Sequence, residues 1–236
     1  MPATTEPAAT AATTEQSTSR DEARRQRREE ARSQRDALRR RAIRRRLVRG
    51  VLAWGAAGLL VAVGIAYFVV QSQAKSRLAA EASRVASAAG CTQIEEKPDR
   101  GASHSPPYTY DQQPATSGSH STPLPSGQSV YETPVPEENA VHNMEHGYAF
   151  IYYRQEGDAA LPASVAQALQ VLAERESKVI MAPYPELEEG RSLALAAWNR
   201  LQQCPSTVTP DQATTLAGSF IAQFRGGGDA PEPNVP

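Results

Sequence analysis

The sequence contains few of the cysteine, histidine and aromatic residues that often take part in catalysis or metal binding. Its 236 residues include two cysteines and four histidines, and aromatic residues make up 6%. No Cys-x-x-Cys pair is present, which argues against a thiol redox role. The four histidines all lie between residues 104 and 146. Because histidine is the commonest neutral metal ligand and carries protons near neutral pH, this clustering predicts a metal or acid–base site.

Charge is absent between residues 50 and 70. Twenty apolar residues at roughly 1.5 Å per residue span about 30 Å, the thickness of a bilayer core. Trp54 and Tyr67 lie near the two ends of this stretch, where aromatic rings favour the membrane interface. We therefore predict a transmembrane helix over residues 50–70. A signal peptide cleaved after residues 72–74 is the alternative, although the preceding basic region is long for one.

The net charge of −1 conceals an asymmetry about this apolar stretch. Residues 1–49 carry 14 arginines against 7 acidic residues, which gives +7. Residues 71–236 carry 11 basic against 19 acidic residues, which gives −8. Positive residues favour the cytoplasmic side, so we predict a single-pass protein of the cytoplasmic membrane with its C-terminal domain outside.

The regions on either side of the span differ in composition. We predict a disordered tail over residues 1–19, a basic cytoplasmic helix over 20–49, a helical stalk over 71–90 and a folded domain over 91–236. The arginine-rich helix is expected to attract anionic lipid head groups. Nucleic-acid binding is not expected because the arginines lack interleaved aromatic residues.

The two cysteines, Cys91 and Cys204, both fall on the predicted outer side of the membrane. An even count in an oxidising compartment predicts one disulfide between them. Two unpaired thiols are the alternative.

The predicted domain is of the α+β class. Residues 148–153, 178–182 and 192–198 are apolar runs that predict strands, and Pro162 and Pro210 begin helical patterns. The order β-α-β-β-α indicates a small mixed sheet with packed helices, and the right-handed crossover rule makes the first two strands parallel. A proline-rich segment, residues 98–136, precedes them and carries two of the histidines.

The stretch Val141-His-Asn-Met-Glu-His-Gly147 allows two backbone conformations with different chemistry. On a strand, His142, Met144 and His146 share one face, which gives a set of ligands suited to copper. On a helix, His142 and His146 stack with Glu145 beside them, the H-x-x-E-H pattern of a class of zinc peptidases. We expect the extended form or a loop, because little helical periodicity precedes the motif.

The predicted metal ligands are His120, His142 and His146, with His104 as a fourth and Met144 or Glu145 as an assisting ligand. Copper or zinc is expected rather than magnesium or calcium, because carboxylates do not dominate the cluster. Four acidic residues are candidates to orient the imidazoles: Asp111, Glu132, Glu137 and Glu138.

Three other functions stay open from the sequence alone. A zinc hydrolase would use Glu145 as general base, with His120 or His104 as the third protein ligand. All four histidines can also be structural, held by backbone hydrogen bonds. The domain can equally be a non-metal module that contacts a protein partner, of unknown identity, in the cell envelope.

The two histidine motifs and their surroundings resemble a bacterial membrane-anchored family called domain of unknown function 3105. The resemblance rests on Thr116-Ser-Gly-Ser-His120, on residues 141–147 leading into a strand, on Ala197-Trp198 and on the tail Ala230-Pro-Glu-Pro233. It spans about residues 90–233. The sequence departs from the pattern at Ala115, where proline is typical, and at Met144, where leucine is common. The second departure implies that a thioether is not an essential ligand. The family has no established reaction, so the resemblance leaves the function open.

Overall fold

A computed structural model of the chain describes residues 8–235, with side chains described from residue 24 onward except at 26 and 31. The chain divides into two compact units, residues 1–70 and 71–236. We call the second the folded unit, and each is described by itself.

Helix α1 begins at Ala8 and ends at Ala89. Residues 8–19, part of the segment predicted as a disordered tail, form the first turns of α1, and residues 1–7 lie outside the described residues. Alanine favours helix, and extending an existing helix avoids the cost of nucleation. In the described part of the chain, one helical stretch, Arg27–Ala89, is long and apolar enough to cross a membrane.

The last turns of α1 belong to the folded unit. Ala82, Ala86 and Ala89 recur on one helix face and are buried in its apolar core. The helix stops before Gly90, whose φ of 71° suits a residue without Cβ. The predicted stalk, residues 71–90, is therefore in part a packed element of the domain and not only a spacer before it.

A disulfide bond follows directly after helix α1. The sulfur atoms of Cys91 and Cys204 lie 2.10 Å apart and form a disulfide across 113 residues of sequence. It joins the end of α1 to the last strand of the sheet.

The prediction of an α+β fold with a mixed sheet is confirmed. The five strands are β1 (Glu95–Glu96), β2 (Ala149–Tyr153), β3 (Val179–Pro183), β4 (Leu193–Ala197) and β5 (Arg200–Cys204). The remaining helices are α2 (Glu137–Glu145), α3 (Ala163–Arg175) and α4 (Pro210–Phe224). The sheet order is β1-β5-β4-β2-β3, and only β2 and β3 pair in parallel, as the crossover rule predicts.

The predicted element order lacks β1, α2 and β5. Strand β5 was missed because its sequence, Arg-Leu-Gln-Gln-Cys, has only Leu201 and Cys204 as apolar residues and shows no two-residue alternation. It follows β4 after the loop Trp198-Asn199, in which Asn199 has a φ of 55°, a left-handed conformation that asparagine adopts more readily than most residues. Strand β1 has two residues, too few for a periodic pattern.

Strands β2 to β5 bury both of their faces, whereas the two-residue strand β1 lies at the surface. In β2, Ile151 faces the core formed with α3, α4 and the end of α1. Phe150 and Tyr152 face the opposite core, which contains α2 and parts of the proline-rich segment. This alternation follows from the two-residue period of a strand. The histidine-bearing elements thus cover one face of the sheet.

The proline-rich segment has no regular secondary structure but is tied to the rest of the unit. The amide of His120 donates to Ser103 O at 2.8 Å, and the amide of Asn199 donates to Thr116 O at 3.1 Å. Residues 114–118 and His120 are buried. Hydrogen bonds within the protein therefore hold this segment in place.

We predict that Gly147→Ala lowers the free energy of unfolding by about 2–4 kcal/mol. Gly147, between α2 and β2, has a φ of 79°, and an added Cβ would lie 3.1 Å from Gly226 Cα. Left-handed strain and overpacking each cost about 1–3 kcal/mol. Urea unfolding of a Trp54→Phe background, followed by fluorescence of the buried Trp198, measures the effect.

Gly157→Ala is the matched control. Gly157 has a φ of 83° but open space around the added Cβ. The Gly157→Ala variant should lose only about 1 kcal/mol of its free energy of unfolding, from backbone strain. Equal losses for the two variants would show that the contact with Gly226 contributes nothing.

Candidate metal centre

The motif of residues 141–147 lies mainly on helix α2, so the prediction of an extended segment is wrong. Pro136 precedes the helix, and Glu137 and Glu138 occupy its first turn, where negative charge favours the helix dipole. A helix of nine residues is marginal alone, so packing must stabilise it. Val141 and Met144 supply that packing, since both are fully buried in the apolar core.

The helical conformation separates the residues that a strand would have aligned. At about 100° per residue, Met144 lies on the far side of the helix from His142. Met144 packs in the same apolar cluster as Phe150 and Trp198. The predicted His-x-Met-x-His array is therefore not formed, and Met144 belongs to the core.

The structure brings three histidines and one carboxylate together. Ligand atoms of His104, His120, His142 and Glu145 all lie within 4.8 Å of one another. The ring centroids of His104 and His120 are 4.4 Å apart, and those of His120 and His142 are 4.8 Å apart. His104 is exposed at the surface, with 54% of its side chain accessible, whereas the other three are buried. The cluster is thus reachable from solvent on the side of His104.

Backbone carbonyls fix the orientation of the two buried rings. His120 Nδ1 lies 2.8 Å from Gly118 O, and His142 Nδ1 hydrogen-bonds to Ser121 O. A carbonyl oxygen can only accept, so each Nδ1 carries the proton and, in the neutral ring, each Nε2 keeps its lone pair. This is the arrangement in which metal-bound histidines are commonly held.

The Glu145 carboxylate faces the same space. Its Oε2 atom lies 3.0 Å from His120 Nε2 and 3.5 Å from His104 Nε2. Oε2 is buried and has no hydrogen-bond partner among residues 8–235. The short approach to His120 is not a hydrogen bond, because Nε2 of that tautomer has no proton. His104 Nε2 lies 3.2 Å from His120 Nε2 and can donate a proton to that lone pair, but Glu145 Oε2 has no hydrogen bond in the described chain. A cation between these side chains would satisfy the carboxylate and the imidazole lone pairs together.

Burial also keeps His120 uncharged. Desolvation lowers the pKa of His120, while its hydrogen bond to Gly118 and the Glu145 carboxylate act in the opposite direction. A neutral imidazole is the form that binds a metal ion. The His120 ring also contacts Trp198 edge-on at 6.4 Å, which places the second residue of the Ala197-Trp198 pair against the cluster.

The remaining residues of the two motifs position the ligands. Asn143 Oδ1 accepts a hydrogen bond of 2.7 Å from the amide of Leu124, and Glu138 O accepts one of 3.1 Å from the amide of Ser121. These bonds hold the proline-rich segment against α2. Ser121 is the residue whose carbonyl orients His142, so the same contact fixes both segment and ligand.

His146, predicted as a ligand beside His120 and His142, belongs to a second group. Ligand atoms of Glu145, His146 and Glu232 lie within 4.8 Å of one another. His146 Nε2 and Glu232 Oε2 are 3.6 Å apart. Glu232 was not among the predicted ligands, although it lies in the Pro-Glu-Pro tail that contributes to the family resemblance.

The acidic residues proposed to orient the imidazoles have other roles or positions. Asp111 pairs with Arg100. Glu137 accepts hydrogen bonds from the Ala115 amide at 2.6 Å and the Tyr184 hydroxyl at 2.7 Å, and burial raises its pKa. Neither these two residues nor Glu132 and Glu138 are part of either group in the described chain.

Fold and site together define an α+β domain that carries a buried histidine–carboxylate cluster able to hold a metal ion. Residues 8–235 also include one helix that could cross a membrane. The model of the family described as protein of unknown function (DUF3105) matches residues 103–236, more than half of the chain. The chain belongs to this family. Comparison with the curated proteins and with the solved structures gives no significant match.

We predict that Glu145→Gln stabilises the metal-free protein. In chelator-treated protein at pH 8, the change removes a buried charge that lacks a hydrogen bond, and the new amide can donate to a histidine lone pair. The free energy of unfolding should rise by about 1–2 kcal/mol, the scale of an unsatisfied buried polar group. Urea unfolding in the presence of chelator measures it.

Glu189→Gln is the control, because Glu189 is exposed and the charge change is the same. It should stay within about 0.5 kcal/mol of the parent protein. A loss of stability in chelated Glu145→Gln would contradict the view that the carboxylate needs a cation.

Proposed function

We propose that the protein is a membrane-anchored, extracytoplasmic metal-binding protein whose ligands are His104, His120, His142 and Glu145. The observation that carries the proposal is the unpartnered, buried Oε2 atom of Glu145, next to imidazoles whose Nδ1 protons are committed to backbone carbonyls. Without a cation, Glu145 Oε2 would stay buried without a hydrogen bond beside the Nε2 atoms of His120 and His104. The position of Glu145 at the C-terminal end of α2 adds the negative end of the helix dipole.

Zinc and copper(II) are the ions that this set of ligands suits. Imidazole nitrogen binds both, and one carboxylate oxygen completes a mixed N and O set. Copper(I) prefers soft sulfur ligands, and the core position of Met144 removes the thioether that the sequence offered. We therefore expect a divalent ion at this site.

The hydrolase alternative assigns Glu145 a different role. A general base of the H-x-x-E-H class stays off the metal and activates its water. Here the Oε2 atom of Glu145 lies among the ligand atoms, 3.0 Å from His120 Nε2, which favours a ligand over a base. Glu145→Gln separates the two: a ligand loses metal affinity, whereas a base keeps the metal and loses hydrolysis.

The test is metal binding by the full chain in detergent, purified without a histidine tag. We expect His104→Ala and His120→Ala each to weaken binding of zinc by about a hundredfold or more. Loss of an outer hydrogen-bond partner alone costs roughly 10–100-fold, and a direct ligand should cost at least as much. Competition with a chromophoric chelator measures the affinity.

Thr109→Ala is the matched control, because Thr109 is an exposed residue of the same proline-rich segment. It should bind zinc and copper(II) as the parent does. A parent protein with no stoichiometric ion after incubation with either metal would contradict the proposal. It would favour instead an interaction module without a metal.

We also propose that residues 50–70 span the cytoplasmic membrane, with the arginine-rich side in the cytoplasm and in contact with anionic lipid head groups. Three observations support this topology. One helix is able to cross a membrane, charge is positive before it and negative after it, and the folded unit contains a disulfide. Disulfides persist in oxidising compartments outside the cytoplasm.

Labelling of single introduced cysteines in intact cells tests the orientation. A membrane-impermeant maleimide should label Ser126→Cys without treatment, because Ser126 is exposed in the proposed outer domain. Ser33→Cys should be labelled only after permeabilisation. The reverse pattern would contradict the proposed orientation.

A further inference from the structure

We infer that the centre holds two metal ions that share Glu145, the second ion being bound by Glu145, His146 and Glu232. This inference rests on the proposed function, since the first ion is the one described above. The two groups of potential ligands overlap in a single residue, Glu145. A carboxylate has two oxygens and about four lone-pair sites, so it can bind two cations at once.

The geometry around Glu145 is that of a bridging ligand. His142 belongs to the first group and His146 to the second, and their ring centroids are 4.7 Å apart. Their spacing of four residues places both on the same face of α2 as Glu145. Carboxylate-bridged metal pairs lie about 3.5–4 Å apart, a distance compatible with rings this close.

Glu232 lies beside Glu145 and His146 because hydrogen bonds hold the C-terminal tail against the end of α2. The Glu232 amide donates to Glu145 O at 3.0 Å. Lys178 Nζ donates to His146 O at 3.0 Å and to Pro233 O at 3.0 Å, so one side chain ties the helix end to the tail. These bonds involve main-chain atoms of the tail, and they place no requirement on the side chain at position 232.

These backbone bonds do not explain why a glutamate side chain lies beside His146. Its Oε2 lies 3.6 Å from His146 Nε2, and 51% of the side chain is exposed. An ion pair with a protonated His146 is one explanation, but it gives no role to Glu145, which belongs to the same group of ligand atoms. A divalent cation at this position can be bound by all three residues together, and the exposure of Glu232 gives it a route from solvent.

Zinc titration of the full chain in detergent tests the inference. We expect the parent to bind two equivalents. Glu232→Gln should keep the first and bind the second at least about tenfold more weakly. The variant preserves the backbone bonds of residue 232 and changes an exposed side chain, so folding should be unaffected. Glu189→Gln, an exposed acidic residue outside both groups, should bind two equivalents.

Electron paramagnetic resonance of protein loaded with two equivalents of copper(II) tests the sharing of Glu145. Ions about 3.5–4 Å apart should couple magnetically, which gives either a half-field signal or a loss of signal intensity that Glu232→Gln reverses. Two equivalents with the full signal intensity of uncoupled copper(II) would overturn the shared carboxylate.

The remaining outcomes separate the two proposals. One equivalent in the parent, weakened by His104→Ala but not by Glu232→Gln, would overturn the second ion and leave the proposed function intact. One equivalent that depends on Glu232 but not on His104 would overturn both the two-ion centre and the ligands proposed for the first ion. No bound metal would overturn both proposals.

Discussion

The site depends on two hydrogen bonds from imidazole rings to backbone carbonyls. Gly118 O and Ser121 O accept the Nδ1 protons of His120 and His142. Each bond commits the proton of a neutral ring and turns the Nε2 lone pair inward. Glu145 adds a negative charge to that space, where it lacks a hydrogen bond of its own. A buried carboxylate oxygen without a donor is costly by itself, and a cation removes the cost.

Much of the domain is arranged so that these bonds form. The two carbonyls come from the proline-rich segment. This segment has no helix or strand hydrogen bonding of its own, so contacts to neighbouring elements must hold it in place. Asn143 on α2 and the hairpin residue Asn199 both receive or donate hydrogen bonds to that segment. Helix α2 is in turn held by Val141 and Met144 against the sheet. The motif therefore alternates residues that pack, residues that fasten the segment and residues that face the cluster.

The sequence was sufficient for the larger elements. The strands around Ile151 and Ile180, the helix that begins after Thr209 and the parallel pairing of β2 with β3 all follow from periodicity, capping and handedness. The clustering of the histidines in sequence also indicated which residues to consider. The resemblance to the family was correct over residues 103–236.

The details of the site could not be read from the sequence for definite physical reasons. Helix α2 is too short for a periodic signal and is stabilised by tertiary packing, so the extended prediction placed Met144 on the wrong side. Glu232 is 87 residues from Glu145 in sequence and reaches it through backbone bonds of the tail. The carbonyls that orient the imidazoles belong to the main chain. Every residue has such a carbonyl, so the sequence does not indicate which ones accept these hydrogen bonds.

X-ray absorption at the metal K-edge, on zinc-loaded full chain in detergent, tests the central claim most directly. The account predicts a shell of nitrogen and oxygen ligands at about 2.0–2.2 Å, with the outer scattering of imidazole rings and no sulfur. A spectrum of hydrated zinc without imidazole scattering, or one with a sulfur ligand at about 2.3 Å, would contradict it.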